Sequence, residues 1–205
     1  MPQFAEFGPA AAWLKRHPQV RCVDLLLADL MGIPRGKRVT AAELEGVHGS
    51  GLLLPGSMFA LDVLGGTVQS TGLGFDEGDA DRVCLPIAGT LVPVPWLGAD
   101  VAQMQVSMYE HDRTPFHGDP RHVLEGVVAR FTALGLQPVM AVELEFYLVD
   151  RERTPAGHAQ PPRQPLTGRR EVKTQINSMQ ELDEYSAVLG AIAAAAREQD
   201  LPVGT

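Results

Sequence analysis

The sequence is short of cysteine and of positive charge, and it lacks any long apolar run. Only two cysteines occur among 205 residues, Cys22 and Cys84, and neither lies in a C-x-x-C pair. Zinc-ribbon and thioredoxin-type chemistry are thereby excluded. Free thiols in a reducing compartment are the expectation, with a Cys22–Cys84 disulfide as the alternative. Seventeen basic residues against 25 acidic ones leave a net charge of −8, so the surface is wrong for a phosphate backbone, and no nucleic-acid partner is expected. A local cationic pocket for a nucleotide remains compatible with that balance. No apolar stretch approaches the roughly 20 residues that span a bilayer, so no membrane partner is expected. The opening "MPQFAEFGPAAAWLKRHPQV" places Glu6 ahead of its first basic residue and has no apolar centre. It is not a secretory signal, and the cytoplasm is the expected location. The six histidines show no metal-ligand spacing.

What is present is an ordinary globular balance, 45% hydrophobic and 20% charged, enough for one large domain or two small ones. Ala10, Ala11, Trp13 and Leu14 give a short first helix an apolar face, and Pro18 ends it. "VRCVDLLLADLMG" (20–32) is strand-like, and "IPRGKRV" returns in a hairpin around Met31–Pro34. Thr40 and Glu43 form a capping box that opens a short helix. Gly65-Gly66 reads as a turn. Residues 79–96 hold short extended pieces cut by Pro86, Pro93 and Pro95. In "VAQMQVSMYE", Ala102, Met104, Val106 and Met108 alternate with polar residues, as in a half-buried strand. Residues 18–112 therefore read as a β-rich domain, and 113–205 as a second one.

The boundary falls in "HDRTPFHGDPR" (111–121). Asp119 caps a helix with Pro120 in its first turn. Val123, Leu124, Val127, Val128, Phe131 and Leu134 recur at helical spacing, and Gly135 closes the helix. A Pro-, Gly- and Arg-rich loop is expected over 151–173, then one helix from the Ser178/Glu181 capping box to Leu201-Pro202, and a further strand beginning at "VGT". A helix leading into a strand with nothing after it is a poor place for a domain to end, so the chain is expected to be a piece of something longer.

The chemistry concentrates in "AVELEFYLVD" (141–150). Its aromatic and β-branched composition predicts a core strand, yet it carries Glu143 and Glu145. On a strand these two share a face, with Val142 and Leu144 opposite. Like charges side by side repel, and burying either is costly unless compensated. Either the face is solvated, or a cation sits between the acids; Mg²⁺ and Mn²⁺ take hard oxygen ligands of this kind. Elsewhere Arg35, Lys37 and Arg38 form a basic cluster, expected to be solvated or to meet an acid on a neighbouring subunit. His117 and His122 flank a helix start and are expected to be solvated.

Four stretches taken together, "DLLLADLMGIPRGKRV", "GSMFALDVLGGTVQSTGLGFDEGDADRVCLPIAGTLVPVPW", "PFHGDPRHVLEGV" and "GLQPVMAVELEFYLVD", resemble the glutamine synthetase superfamily, and within it the γ-glutamylpolyamine synthetase branch. They cover nearly the whole chain from Val20, in the family's order and spacing. The resemblance implies an α+β architecture: a β-grasp amino-terminal domain, then the first part of a truncated synthetase-type catalytic α/β domain. It implies an ATP-dependent ligase that forms a γ-glutamyl amide from glutamate and a small amine, a polyamine or ammonia, through a γ-glutamyl phosphate. ATP and Mg²⁺ (or Mn²⁺) are the implied cofactors, and a homo-oligomeric ring the implied assembly.

By that match Glu145 would hold the metal near glutamate and the amine, and Glu143 the metal near the ATP phosphates. Asp62, in "FALD", stands where the family lends an aspartate to the neighbouring active site to help deprotonate the amine. Ordinary glutamine synthetases carry Asp-Gly-Ser-Ser there; the alternative for Asp62 is a turn cap ahead of Gly65-Gly66. Asp81, in "DADRV", is expected to be a solvated turn residue. The family's other metal and ATP ligands lie beyond residue 205, so the isolated chain is expected to be inactive. The alternatives are a non-catalytic assembly or regulatory module related to the family, and a simple small-molecule binding domain whose acids are solvated.

Overall fold

The computed structural model describes residues 4–74, 78–170, 173 and 175–203. They divide into two compact units, residues 1–138 and 139–205.

The first unit is built on a mixed sheet. Its strands are β1 (Cys22–Ala28), β2 (Pro34–Thr40), β3 (Leu52–Pro55), β4 (Asp81–Pro86), β5 (Val92–Pro93) and β6 (Val101–Tyr109), in the order β2-β1-β6-β4-β3, with β5 also on β6. β1 runs antiparallel to β2 and parallel to β6, while β4 is antiparallel to both β3 and β6. Strand periodicity explains which residues face inward. Val23, Leu25 and Leu27 of β1, and Ala102, Met104, Val106 and Met108 of β6, are all buried, as alternation requires. Helices α1 (Phe7–Arg16) and α2 (Leu44–Ser50) contribute Ala10, Leu44 and Val47 to the same core, together with Phe59 and Phe116.

The β1–β2 hairpin turns on Asp29, a residue to which the sequence reading gave no role. Its buried carboxylate accepts from the Met31 and Ile33 amides, both at 2.8 Å, and from Arg35 Nε at 2.7 Å. Burial pushes this carboxyl up, but the hydrogen bonds from Arg35, Ile33 and Met31 outweigh it and hold it below the usual carboxylate range. The basic cluster after the turn is therefore internally committed. Arg38 forks onto its cross-strand partner Asp24 at 2.6 and 2.9 Å, and Lys37 donates to the Leu53 carbonyl at 3.1 Å. Lys37 and Arg38 are exposed, as the solvated reading expects, while Arg35 is half-buried against Asp29.

Where β1 ends, the edge of β6 is closed by the residues leading into α3 (Pro120–Ala133). Asp119 caps this helix as expected, accepting the Arg121 amide at 2.9 Å. Its other oxygen accepts the Met108 amide at 2.8 Å. The apolar stripe on α3 also appears at the expected positions, but it is exposed: Val123, Leu124, Val127, Val128 and Phe131 all face outward.

In the second unit, residues 178–200 give α4 (Met179–Glu184) and α5 (Ser186–Glu198) in place of one helix, interrupted at Tyr185. The break adjoins Glu184, whose buried carboxylate accepts the Leu166 amide at 2.8 Å. Ser178 caps α4, accepting the Glu181 amide, while the Glu181 carboxylate turns to the Gln175 amide instead of closing the box. Apart from α3, none of the helices expected after residue 113 stands in the first unit. Of the strand expected at "VGT", Val203 forms no strand, and 204–205 lie outside the described residues.

Candidate functional site

Glu143 and Glu145 stand on residues 139–149, which form no strand among the described residues, and both are exposed. The expectation of a core strand here is corrected. The composition is that of a strand, but a strand exists only when a neighbour takes up its N–H and C=O groups, and no described segment pairs with this one. Its apolar residues are accordingly open, with Val142 82% and Tyr147 93% exposed. The segment ends at Asp150, which is fixed: its carboxylate accepts the Glu152 amide at 3.0 Å and faces Arg170 at 2.8 Å. The Glu152 amide above all holds this carboxyl below the usual range; burial opposes it, and Arg170 adds to the lowering.

The donor chemistry suits a hard divalent ion, since two carboxylates two residues apart offer oxygen ligands only. Two donors are nonetheless a fraction of a six-coordinate shell. Among the described residues, no group of three or more His, Cys, Asp or Glu gathers to complete one.

Asp62 occupies a tight loop in the first unit. Its Oδ1 accepts the Leu64 amide at 2.9 Å and the Gly66 amide at 2.8 Å, while its own backbone N–H reaches the Gly66 carbonyl at 2.8 Å. This is an Asx turn, with Gly65 at φ +84° supplying the left-handed corner. Asp62 is thus a turn cap, and the side chain is half-buried. Its Oδ2 accepts no hydrogen bond among the described residues, so pinning one oxygen leaves the other presented in a fixed direction. Asp81 is exposed, as expected, although it opens β4 rather than lying in a turn.

The histidines divide. His117 is exposed. His122, expected in solvent, is instead half-buried at the start of α3, with its side chain 7% exposed. Its Nε2 donates to the Met108 carbonyl at 2.8 Å, its Nδ1 lies 3.0 Å from Glu125, and Tyr109 meets its ring edge-on. Spacing alone did hold a clue, because His122 and Glu125 are one helical turn apart.

Residues 117–205 match the model of the glutamine synthetase catalytic domain. Over 190 residues, 93% of the chain, the sequence is 40% identical to γ-glutamylputrescine synthetase PuuA of Escherichia coli (strain K12), covering 40% of that protein. The chain is thus similar to γ-glutamylputrescine synthetase, and in its second half to the glutamine synthetase catalytic domain. A glutamine synthetase of Pyrococcus horikoshii is 30% identical over 131 residues, 63% of this chain and 26% of that protein. The fold agrees: apo GmaS superposes with a TM-score of 0.62 at 18% identity, over 91% of this chain and 39% of that one. A further glutamine synthase homologue gives 0.62 at 22% identity, over 88% and 39%. The chain thus spans two fifths or less of the length of these relatives. Among the described residues, no helix is long and apolar enough to cross a membrane.

Proposed function

We propose that this chain supplies the amino-terminal domain and first catalytic elements of an ATP-dependent ligase that joins the γ-carboxylate of glutamate to a small amine. The observation that carries the proposal is the 40% identity to γ-glutamylputrescine synthetase across 93% of the chain. The mixed sheet, with parallel β1 and β6 at its centre and antiparallel strands outside, is the β-grasp domain of such an enzyme. The catalytic domain starts near residue 113.

In this reaction a γ-carboxylate oxygen of glutamate attacks the terminal phosphorus of ATP, and ADP leaves. The amine nitrogen then attacks the acyl carbon, and phosphate departs with the former carboxylate oxygen. Glu143 and Glu145 would hold, in part, divalent ions that would neutralise the crowded phosphate oxygens. Both acids are exposed in this chain, so they are free to receive an ion when the rest of its shell is provided. Asp62 is assigned the proton lost by the amine, on the oxygen that its turn leaves open, toward the site of a neighbouring subunit in a homo-oligomeric ring. A primary amine is the acceptor class, and a diamine is favoured by the similarity to a γ-glutamylputrescine synthetase.

The test is a chimera in which this sequence replaces the corresponding region of the E. coli relative. Glutamate, ATP, Mg²⁺ and putrescine should give a γ-glutamyl amide, detected by mass, and Glu145→Gln should abolish it. A folded, assembled chimera that makes no amide would refute the assignment.

A second reading, a non-catalytic assembly module, draws on the outward apolar stripe of α3. It predicts that the chain co-sediments with the E. coli relative while contributing no activity.

A further inference from the structure

The loop that carries Asp62 has a feature that its turn does not explain. Its base is closed by the Leu61–Thr67 bridge and by the Val68 amide, which donates to the Ala60 carbonyl at 2.7 Å. Inside it the Gly65 amide donates to the Asp62 carbonyl at 3.0 Å, alongside the Leu64 and Gly66 amides on Asp62 Oδ1. The backbone of residues 61–67 is therefore cross-braced, although residues 63–66 at its tip are exposed. Val63 is 69% exposed and Leu64 92%, and neither belongs to the core.

The Asx turn uses only the backbone amides of Leu64 and Gly66. Polar side chains at 63 and 64 would close it equally well, and turns ordinarily carry Gly, Asn, Asp or Ser. A single exposed apolar residue is ordinary on a surface. Here two consecutive ones are fixed beside a carboxylate oxygen. Gly66 keeps that oxygen open, since a Cβ at this position would come within 3.0 Å of Asp62 Oδ2. The Leu64 amide nitrogen lies 2.9 Å from Oδ1. Its Cα is one bond further, so the Leu64 side chain starts within about 7 Å of Oδ2. Carboxylate and apolar tip are presented together, at the spacing of an ammonium group and the few methylenes next to it.

We infer that Val63 and Leu64 set the choice of acceptor: they cover the methylene chain of a primary alkylamine whose nitrogen sits at Asp62 Oδ2, and so select a carbon-chain amine over ammonium. The inference rests on the assignment of Asp62 to the amine in the ligase reading. Ammonium and an alkylammonium bring the same charge and the same kind of N–H donor to Oδ2, so the carboxylate alone separates them little. What differs is apolar area. Each methylene taken out of water against the tip raises kcat/KM by up to about four-fold. A tip already braced loses little freedom when the chain settles on it, which preserves that gain.

The test measures kcat/KM of the chimera with the E. coli relative for ammonium, methylamine, n-propylamine and n-butylamine, read as γ-glutamyl amide formed. The value should climb along the alkylamine series. Leu64→Ser should cut the ratio of n-butylamine to ammonium at least five-fold, Val63→Ser with Leu64→Ser should cut it further, and Leu64→Met should retain it. An active chimera whose Leu64→Ser variant keeps the wild-type ratio would overturn this inference and leave the ligase reading standing. A variant that loses rate with every amine alike would overturn it too, because the tip would then serve only fold or assembly. A folded, assembled chimera inactive with every amine would overturn the ligase reading, and this inference with it.

Discussion

Asp119 Oδ2 accepts the Met108 amide at 2.8 Å, while Oδ1 of the same carboxylate accepts the Arg121 amide at 2.9 Å. One buried side chain therefore caps α3 and satisfies the edge of β6 where β1 has ended. The Met108 carbonyl is satisfied from the same side, by the Phe116 amide and His122 Nε2. Asp119→Asn keeps the shape but turns a donor toward either Met108 or Arg121. A loss of about 3 kcal/mol is expected, combining a cap with a charged buried hydrogen bond. Urea unfolding followed by circular dichroism measures it, and a loss within 0.5 kcal/mol, about the size of an ordinary surface substitution, would contradict this role.

Asp29 makes stability pH-dependent with a definite sign. Its carboxyl is held below the usual range in the folded chain. An unfolded aspartate titrates near 4. The stabilisation is therefore complete above that value and is lost as pH falls through the lower folded one. Asp29→Asn should be less stable than wild type at pH 7, with the difference closing as pH falls through the lowered folded value. Thermal melts across pH 2–8 check this; a gap that widens in acid has the wrong sign.

The two thiols should differ in reactivity. Cys84 is fully buried, and burial first, then the nearby Asp119 charge, pushes its thiol up to about 12. Cys22 is half-exposed on β1, and both are free thiols. Iodoacetamide at pH 7.5 followed by mass spectrometry should label Cys22 alone in the native chain and both residues in urea, because the thiolate is the nucleophile. Native labelling of Cys84 at a comparable rate would show that the β3–β4–β6 region is open.

Gly36 should tolerate no side chain. It sits in β2 opposite Leu26 at φ +152°, and a Cβ there would overlap the Leu25 carbonyl oxygen. Gly36→Ala should cost at least ~2 kcal/mol through strain and displacement of the β1–β2 pair. A melting temperature equal to that of wild type would be inconsistent with this hairpin.

The legible parts of the sequence were those governed by local rules. Alternation in β6 located Ala102, Met104, Val106 and Met108 in the core. The Thr40/Glu43 box, the Asp119 cap and the Asx turn at Asp62 are short-range hydrogen bonds between residues a few positions apart. What escaped depended on partners far along the chain, or on none. "AVELEFYLVD" has strand composition, but pairing is a property of two segments, and only one is present in the described structure. His122 reads as a solvated helix-start residue until β6 brings the Met108 carbonyl to it. The α3 stripe was found by period, yet period does not reveal whether anything covers it.

The central claim is that the γ-carboxylate of glutamate is activated as an acyl phosphate by a ligase built on this chain. The most direct measurement uses glutamate carrying ¹⁸O in its γ-carboxylate, with ATP, Mg²⁺ and putrescine, and the chimera with the E. coli relative. One ¹⁸O should appear in each inorganic phosphate released, matched by γ-glutamyl amide formed. Phosphate released with no ¹⁸O, from an assembled chimera, would contradict the claim.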